Sequence, residues 1–244
     1  MRAWLFLLLL LWVPASCAEA EPTDTLRVFA AASLRDLLDA TDAGSLRIST
    51  GGSGLVAEQL LAGAKADIFI SAGELEVERL IEAGLVQRED VRTLFRNRLV
   101  VIARKGHGAA FEPADLTRAK RVSLAHPEAV PAGRYARAWL KSSGLWAAVE
   151  PHVVQGLDVR AALAAVVSGG AEFGIVYASD AAQFDAVEAV YAVPESEEPR
   201  IVYPGAVLVA SEHPVRAAAY LDKLADPNGP WAGAVRDLGF LPAD

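Results

Sequence analysis

The chain has 244 residues, of which 53% are hydrophobic, and a formal net charge of −8 at neutral pH. An acidic chain does not attract a phosphate backbone over long distances, which argues against a nucleic acid as its partner. The one cysteine, Cys17, lies close to the amino terminus. The remainder of the chain therefore has no disulfide, no thiolate metal site and no cysteine nucleophile.

The first twenty residues have the pattern of a secretory signal peptide. Arg2 supplies a positive charge, residues 5–13 form an apolar segment too short to span a bilayer, and small residues follow. The segment Ala18-Glu19-Ala20 fits a cleavage site. A competing interpretation takes Cys17 as the lipidated first residue of a lipoprotein. In both cases we expect a periplasmic protein, either released or anchored at Cys17.

Apolar segments of strand length alternate with helical patterns from residue 26 onward, which predicts an α/β architecture with largely parallel sheets covered by helices. Strands are predicted over residues 26–31, 46–50, 67–70, 99–103, 121–124, 173–176 and 207–210. Helices are predicted over residues 33–39, 55–62, 74–83, 134–142, 159–167 and 214–224.

Two segments, residues 99–106 and 195–205, are expected to cross between two lobes. The predicted division is a signal peptide over 1–20, a discontinuous first lobe over 21–104 and 200–244, and a second lobe over 105–199. Two lobes joined by two strands form a hinge. Such a hinge suits a protein that closes on a small ligand.

Catalytic signatures are missing from the sequence. The four histidines lack the spacing of a helical metal pair, and no Walker motif is present. The glycine-rich segment at residues 51–54 lacks the spacing of a nucleophile elbow. The carboxylates expected near a cleft have simpler roles at the ends of elements or in loops; they are Asp67, Asp158 and Asp180. We therefore expect no enzyme, with an enzyme on a two-lobed fold and a purely structural protein as the alternatives.

The starts of several predicted helices indicate an anion site built from neutral donors. Ser33 follows the first strand, and Gly51-Gly52-Ser53-Gly54 precedes the second helix, where glycines would let a ligand approach the backbone. Later helices start after Pro131-Ala132-Gly133 and Gly156-Leu157-Asp158, and Tyr177 ends a strand. Helix N-termini favour negative charge through unpaired N–H groups. Helix caps, a flexible turn and a core tyrosine are the simpler interpretations.

Five segments, in this order, resemble the periplasmic molybdate-binding proteins of ABC importers. They are Phe29-Ala30-Ala31-Ala32-Ser33-Leu34, Ala66-Asp67-Ile68-Phe69-Ile70-Ser71-Ala72, residues 127–136 from Pro127 to Ala136, Asp158-Val159-Arg160-Ala161-Ala162-Leu163, and residues 174–181 from Gly174 to Ala181. The resemblance covers residues 26–241. It implies a two-lobed periplasmic binding protein fold of type II, with the ligand in the cleft between the lobes.

The resemblance also implies which residues touch the ligand. Ser33 and Ser53 would donate hydroxyl and backbone hydrogen bonds, Ala132 and Val159 would donate backbone N–H groups, and Tyr177 would donate its phenol, with Ala72 as a possible additional neighbour. Molybdate or tungstate would be held through its oxygens, without direct metal ligands and without a cofactor. The expected partner is the membrane permease of an ABC importer, and the expected state is a monomer.

Two departures from the family pattern are visible. Gly52-Ser53 stands where relatives commonly have paired serines, and only sixteen residues separate Ser33 from Thr50, a spacing shorter than usual by about two helical turns. A site made only of donors disfavours phosphate, whose proton would lack an acceptor. Sulfate must be excluded by size. A binding protein for sulfate, thiosulfate or a small organic anion therefore remains an alternative.

Overall fold

The computed structural model describes residues 25–42, 44–108, 110–197 and 199–243. The predicted signal peptide, with Cys17, lies outside the described residues. The strands are β1 Leu26–Ala31, β2 Leu46–Gly51, β3 Ile68–Ile70, β4 Val86–Asn97, β5 Leu99–Arg104, β6 Val122–Ala125, β7 Val153–Gly156, β8 Phe173–Tyr177, β9 Val187–Ala192, β10 Ile201–Leu208 and β11 Leu241–Pro242.

The α-helices fill most of the chain between these strands. They are α1 Arg35–Thr41, α2 Ser53–Leu61, α3 Glu74–Glu82, α4 Pro131–Ser142, α5 Trp146–Val149, α6 Val159–Val167, α7 Ala178–Ala182, α8 Pro214–Ala225 and α9 Ala232–Asp237. Short 3₁₀ helices cover Ala32–Leu34, Pro113–Thr117 and Glu150–His152. In the described part of the chain, no helix is long and apolar enough to cross a membrane.

The strands form two sheets, each with three parallel strands at one end. The first sheet has the order β11-β4-β10-β3-β1-β2. In it, β2, β1 and β3 run parallel to one another, and β10 runs antiparallel to its two neighbours, β3 and β4. The second has the order β7-β6-β8-β5-β9, with β7, β6 and β8 parallel. Helices α2, α3 and α8 pack on the first sheet, and α4, α6 and α7 pack on the second. The predicted α/β architecture is confirmed.

Sheet membership places the first crossing between the sheets earlier than the sequence suggested. Strand β5 hydrogen-bonds to β8 and β9 in the second sheet, whereas the sequence assigned residues up to 104 to the first lobe. The chain therefore leaves the first sheet after Asn97 and enters the second at Leu99. It returns between β9 and β10.

Several strands were missed or misplaced by the sequence. Strand β4 was not predicted, because it is polar over most of its length and only partly buried, so it lacks an apolar alternation. Strands β7 and β9 are short and partly exposed. Strand β10 was placed at residues 207–210. Its true span contains Pro204, which the sequence presents as a break and which the sheet accommodates at a register shift beside Tyr203.

Asp67 lies immediately before β3 and connects the start of that strand to β1 and to the segment before α8. Its buried carboxylate accepts hydrogen bonds from the backbone N–H of Arg27 at 2.8 Å and from the Arg27 Nε at 3.1 Å. It also accepts from the Ser211 hydroxyl at 2.9 Å. Burial acts to raise the pKa of Asp67, but the hydrogen bonds from Arg27 and Ser211 outweigh it and lower the pKa. This carboxylate therefore has a structural role.

Replacing Asp67 by asparagine should destabilise the protein by about 2 kcal/mol or more at pH 7, because a buried cluster of charge-assisted hydrogen bonds loses its negative charge and one of its two acceptor oxygens. A lowered native pKa gives stability that is complete above the unfolded pKa of about 4 and is lost as pH falls below it. The difference in Tm between the native sequence and Asp67→Asn should therefore shrink between pH 7 and pH 3.

Asp222→Asn is the matched control for this change. Its carboxylate pairs with Arg92 at 2.9 Å on the surface, and its side chain is 59% exposed. We expect a change below about 1 kcal/mol for it. An Asp67→Asn effect as small as that of the control, or one that stays constant with pH, would contradict the structural role of Asp67.

Candidate functional site

The carboxyl ends of the parallel strands in both sheets face one cavity. Strands β1, β2 and β3 lead into its wall on one side, and β6, β7 and β8 lead into it on the other. Ligands of open α/β folds bind outside the carboxyl ends of parallel strands, where loops and helix starts meet. Even with the open solvent at its mouth included, the free space of the cavity is about 200 Å³, below the roughly 300–1,000 Å³ typical of sites for drug-sized ligands. Its size indicates a small ligand.

The six residues that the sequence singled out all line this cavity. Two come from serine-containing segments of the first lobe, one from the loop after β3, and three from the second lobe: Ser33, Ser53, Ala72, Ala132, Val159 and Tyr177. They lie up to 144 residues apart in sequence (177 − 33), and each is at most 3% exposed. The lining contains no lysine or arginine among the described residues.

Two serine hydroxyls reach the wall from the first lobe. The Oγ of Ser53 accepts a hydrogen bond from the backbone N–H of Ala72 at 3.1 Å, so its own proton is free to be donated. The Oγ of Ser33 lies 2.9 Å from the phenolic oxygen of Tyr203. Ala72 lines the cavity, but its N–H is engaged by Ser53, so it acts on a ligand by holding that serine.

Helix starts supply further donors on both sides. The Ala32–Leu34 3₁₀ helix, α2 and α4 begin without a side-chain cap within the described residues, and first-turn N–H groups have no acceptor inside their own helix. In α6, the carboxylate of Asp158 accepts from the N–H of Ala161 at 2.8 Å. Asp158 is thus the N-cap, as predicted. Its carboxylate engages the N–H of Ala161, which leaves the N–H of Val159, the first residue of α6, available to a ligand. These amides give the cavity positive potential without a cation.

Tyr177 places an unpaired phenol at the cavity. Its side chain is 1% exposed, and its hydroxyl has no hydrogen-bond partner in the described structure. A buried polar group without a partner costs about 1–3 kcal/mol, so this position is explained if a bound ligand supplies the acceptor. Burial, reinforced by neighbouring Tyr203, raises the pKa of Tyr177 well above its usual value. The phenol therefore stays protonated and is a donor.

Comparison with known proteins identifies the class of protein. A model of the bacterial extracellular solute-binding proteins matches residues 26–231. The chain belongs to this family. The molybdate-binding protein ModA of Escherichia coli is 35% identical to it over 182 residues, which are 72% of this chain and 70% of ModA.

Two solved structures have the same fold as this solute-binding protein. The periplasmic molybdate-binding protein of Azotobacter vinelandii matches with a TM-score of 0.76 at 20% identity, over 88% of this chain and 98% of that one. The sulfate-binding protein SubI of Mycobacterium tuberculosis matches with a TM-score of 0.69 at 19% identity, over 90% and 92%. The predicted type II periplasmic binding fold is confirmed. The family is one of extracellular solute-binding proteins and not of enzymes, as expected.

Two ion pairs connect the lobes of this solute-binding protein beside the cavity. Glu76 of α3 is 1% exposed and accepts from Arg134 of α4 at 2.6 Å. Arg160 of α6 donates to Asp36 of α1 at 2.6 Å and pairs with the buried Asp180 of its own lobe at 2.5 Å. Burial raises the pKa of Asp180 to about 7, although Arg160 acts to lower it. Both arginines are thus bound to carboxylates and hold the lobes together.

The glycines at the start of α2 also lie against the second lobe. A Cβ on Gly54 would lie 2.2 Å from the backbone oxygen of Ala129, and one on Gly52 would lie 2.8 Å from that of Leu157. Both of these oxygens belong to the second lobe. Gly52 also lines the cavity, but the tightest approach at both glycines is made by the opposite lobe. They allow the two lobes to approach each other closely, and the expected approach of a ligand to this segment stays a prediction.

The sequence did not reveal the residues behind the lining. Tyr203 hydrogen-bonds to Ser33 of the lining and Asn97 hydrogen-bonds to Tyr203; neither was singled out, and neither were the carboxylates of the interlobe ion pairs. Tyr203 lies in the part of β10 that the proline obscured. A charged residue at each of two helix starts, Arg134 and Arg160, was visible within the family motifs. No local signal indicated their partners, which lie 58 and 124 residues away.

We expect Gly54→Ala to prevent full closure, because its methyl group would overlap the Ala129 carbonyl group. Small-angle X-ray scattering should give a larger radius of gyration for this variant than for the native sequence. Gly51→Ala is the matched control, because a Cβ there would lie an ordinary 3.4 Å from Val56. Equal radii for Gly54→Ala and Gly51→Ala would show that the glycine at position 54 is not needed for closure.

Proposed function

We propose that this protein binds molybdate, and also tungstate, in the cavity between its lobes and delivers it to the membrane permease of an ABC importer. The observation that carries the proposal is the composition of the cavity wall. The five residues predicted to contact the oxyanion, and Ala72 as the possible additional neighbour, surround one small space, where hydroxyls and helix starts supply donors and the lining has no basic side chain. Ser33, Ser53, Ala132, Val159 and Tyr177 are the proposed ligand-binding residues.

This wall suits a tetrahedral dianion without a proton. Each oxygen of molybdate accepts hydrogen bonds and donates none, so hydroxyl and N–H donors from both lobes can satisfy all four. The ligand is held through its oxygens, and the described residues contain no cluster of three or more His, Cys, Asp or Glu side chains suited to a metal ion. No cofactor takes part. ModA of Escherichia coli, a molybdate-binding protein, supports this choice among oxyanions by its 35% identity.

Capture and release follow from the two-lobed structure. The oxyanion binds the donors of one lobe, and the donors of the other complete its shell when the lobes close. The ion pairs of Arg134 and Arg160 join the two lobes, so we expect them to break when the lobes open. We propose that the permease recognises this closed form in the periplasm and that the protein acts as a monomer. The protein is either released into the periplasm after cleavage of its signal peptide or anchored to the membrane through Cys17. We also propose the predicted division into two lobes, with the first boundary between them moved from residue 104 to Arg98.

A thermal-unfolding panel tests the ligand. Molybdate and tungstate at about one hundred times their Kd should each add about 2.7 kcal/mol of stability, which corresponds to roughly 5–10 °C in Tm for a protein of this size. Sulfate and phosphate at the same concentration should add little. Stabilisation by sulfate that equals or exceeds that by molybdate would replace this proposal with the sulfate alternative, and stabilisation by none would refute oxyanion binding.

Tyr177→Phe separates binding from folding. Loss of a hydrogen bond to a charged ligand should weaken molybdate binding by about 1.5–3 kcal/mol, or roughly tenfold to a hundredfold. The ligand-free variant should be as stable as the native sequence or slightly more so, because the phenol has no partner to lose. Calorimetric titration and ligand-free melting measure the two effects. Unchanged affinity would remove Tyr177 from the proposed site.

A further inference from the structure

A buried chain of hydrogen bonds extends from the cavity wall into the region where the two sheets are joined. The Oγ of Ser33 lies 2.9 Å from the phenolic oxygen of Tyr203, and the Nδ2 of Asn97 lies 3.3 Å from that same oxygen. All three side chains are at most 3% exposed. Asn97 ends β4, and Tyr203 lies next to it on β10. Neither residue lines the cavity.

The orientation of the Asn97 amide is fixed by its neighbours. Its Oδ1 accepts from the backbone N–H of Arg98 at 2.9 Å and from that of Ser179 at 3.4 Å. Its Nδ2 donates to the Oγ of Ser179 at 2.7 Å. A flipped amide would direct its NH₂ group at two backbone N–H groups, so the observed assignment is the one that satisfies every partner.

This orientation determines the direction of each following bond. An amide nitrogen only donates, so the phenolic oxygen of Tyr203 accepts from Asn97. Among the hydrogen bonds of the described residues, the one acceptor left for the Tyr203 proton is the Oγ of Ser33. Burial raises the pKa of Tyr203 well above its usual value, so that proton is retained. With its oxygen already accepting, Ser33 can direct its own proton into the cavity.

We propose that Tyr203 and Asn97 are positioning residues that fix the hydroxyl of Ser33 as a donor, and that this polarity makes the site specific for fully deprotonated oxyanions. The inference rests on the proposed function. A serine hydroxyl left alone would rotate and accept a proton from a hydrogen phosphate ion as readily as it donates to molybdate. Ser53 has the same polarity from a different source, the backbone N–H of Ala72. Both serine hydroxyls of the wall are therefore held as donors.

A double-mutant cycle tests whether Tyr203 acts through Ser33. Molybdate affinity, measured by calorimetric titration, should fall roughly tenfold or more in Tyr203→Phe and in Ser33→Ala. In Ser33→Ala/Tyr203→Phe it should fall little further, because the phenol then has no hydroxyl to orient. Additive losses in the double variant would overturn the relay, since they would indicate a separate structural effect of the phenol.

Tyr220→Phe is the matched control. Its phenol makes the same kind of bond, to the Oγ of Thr41 at 2.8 Å, and Thr41 in turn donates to the backbone oxygen of Leu37. This pair is also buried, but it lies outside the cavity wall. We expect its molybdate affinity to stay within about twofold of the native value. A loss in Tyr220→Phe as large as that in Tyr203→Phe would mean that any buried phenol matters, and would overturn the relay.

Asn97→Asp reverses the relay with almost no change of shape. A carboxylate accepts the Tyr203 proton, so the phenolic oxygen accepts from Ser33, whose lone pairs then face the cavity. Molybdate should bind at least tenfold more weakly, and hydrogen phosphate should gain relative to sulfate, its close match in size. The affinity ratio of phosphate to sulfate, from competition with molybdate, measures this. An unchanged ratio would overturn the proposal, because added negative charge weakens both anions together.

The native protein distinguishes this inference from the proposed function. If it binds tungstate or sulfate in place of molybdate, the choice of ligand fails, and the same variants are measured with the ion that binds, since all three lack a proton. If it binds hydrogen phosphate as tightly as it binds those ions, the relay is wrong even though oxyanion binding stands. Binding of none of these ions refutes both.

Discussion

Holding a divalent anion without a cation requires many weak donors to converge from both sides, and this convergence governs the arrangement of the two lobes. One hydroxyl or one helix start contributes little in water, but a closed, dry cavity strengthens each of them. Closure in turn requires the facing backbones to come very close. Gly52 and Gly54 meet carbonyl groups of the second lobe at distances that leave no room for a Cβ. Small residues at the helix starts thus let the two lobes come close enough for the donors of both to surround the anion.

The cations beside the cavity are kept out of the anion's reach by their own partners. Arg134 is bound to the buried Glu76, and Arg160 lies between Asp36 and Asp180. Removing such charges from water costs several kcal/mol per ion, and the attraction within each pair offsets much of that cost. The pairs therefore bias the balance between open and closed lobes by a modest net amount. That leaves the ligand to shift the balance by its own contacts with both lobes.

The cavity wall was accessible to sequence reasoning because its members occupy marked positions. Ser33, Ser53 and Val159 each stand where a strand gives way to a helix, and small residues or a cap reveal such junctions locally. The β-strands were accessible only where burial imposed an apolar pattern. Strand β4 lacks one because much of it faces water, and Pro204 interrupts β10 at a register shift. Local patterns carry no record of either exception.

The residues behind the wall depend on contacts that no local pattern encodes. Tyr203 meets Ser33 across 170 residues and Asn97 across 106. These pairs exist only because β10 returns to the first sheet between β4 and β3. A tyrosine in a strand and an asparagine at a strand end have ordinary structural explanations in a sequence. Their importance becomes visible only when the direction of each hydrogen bond is followed from one residue to the next.

The direction of these hydrogen bonds explains how selectivity can arise in a site with few distinctive side chains. Serine and tyrosine hydroxyls both donate and accept, so the identity of the lining residues alone leaves the polarity of the cavity open. The polarity of the two serines is set by groups that can only donate: the Asn97 amide, which acts on Ser33 through Tyr203, and the backbone N–H of Ala72, which acts on Ser53. Backbone N–H groups at the helix starts can only donate, so they need no neighbouring group to fix their direction. Each of the two serines in this wall receives a hydrogen bond from a neighbouring donor, whereas the Tyr177 hydroxyl has no partner among the described residues and is left to be oriented by the ligand.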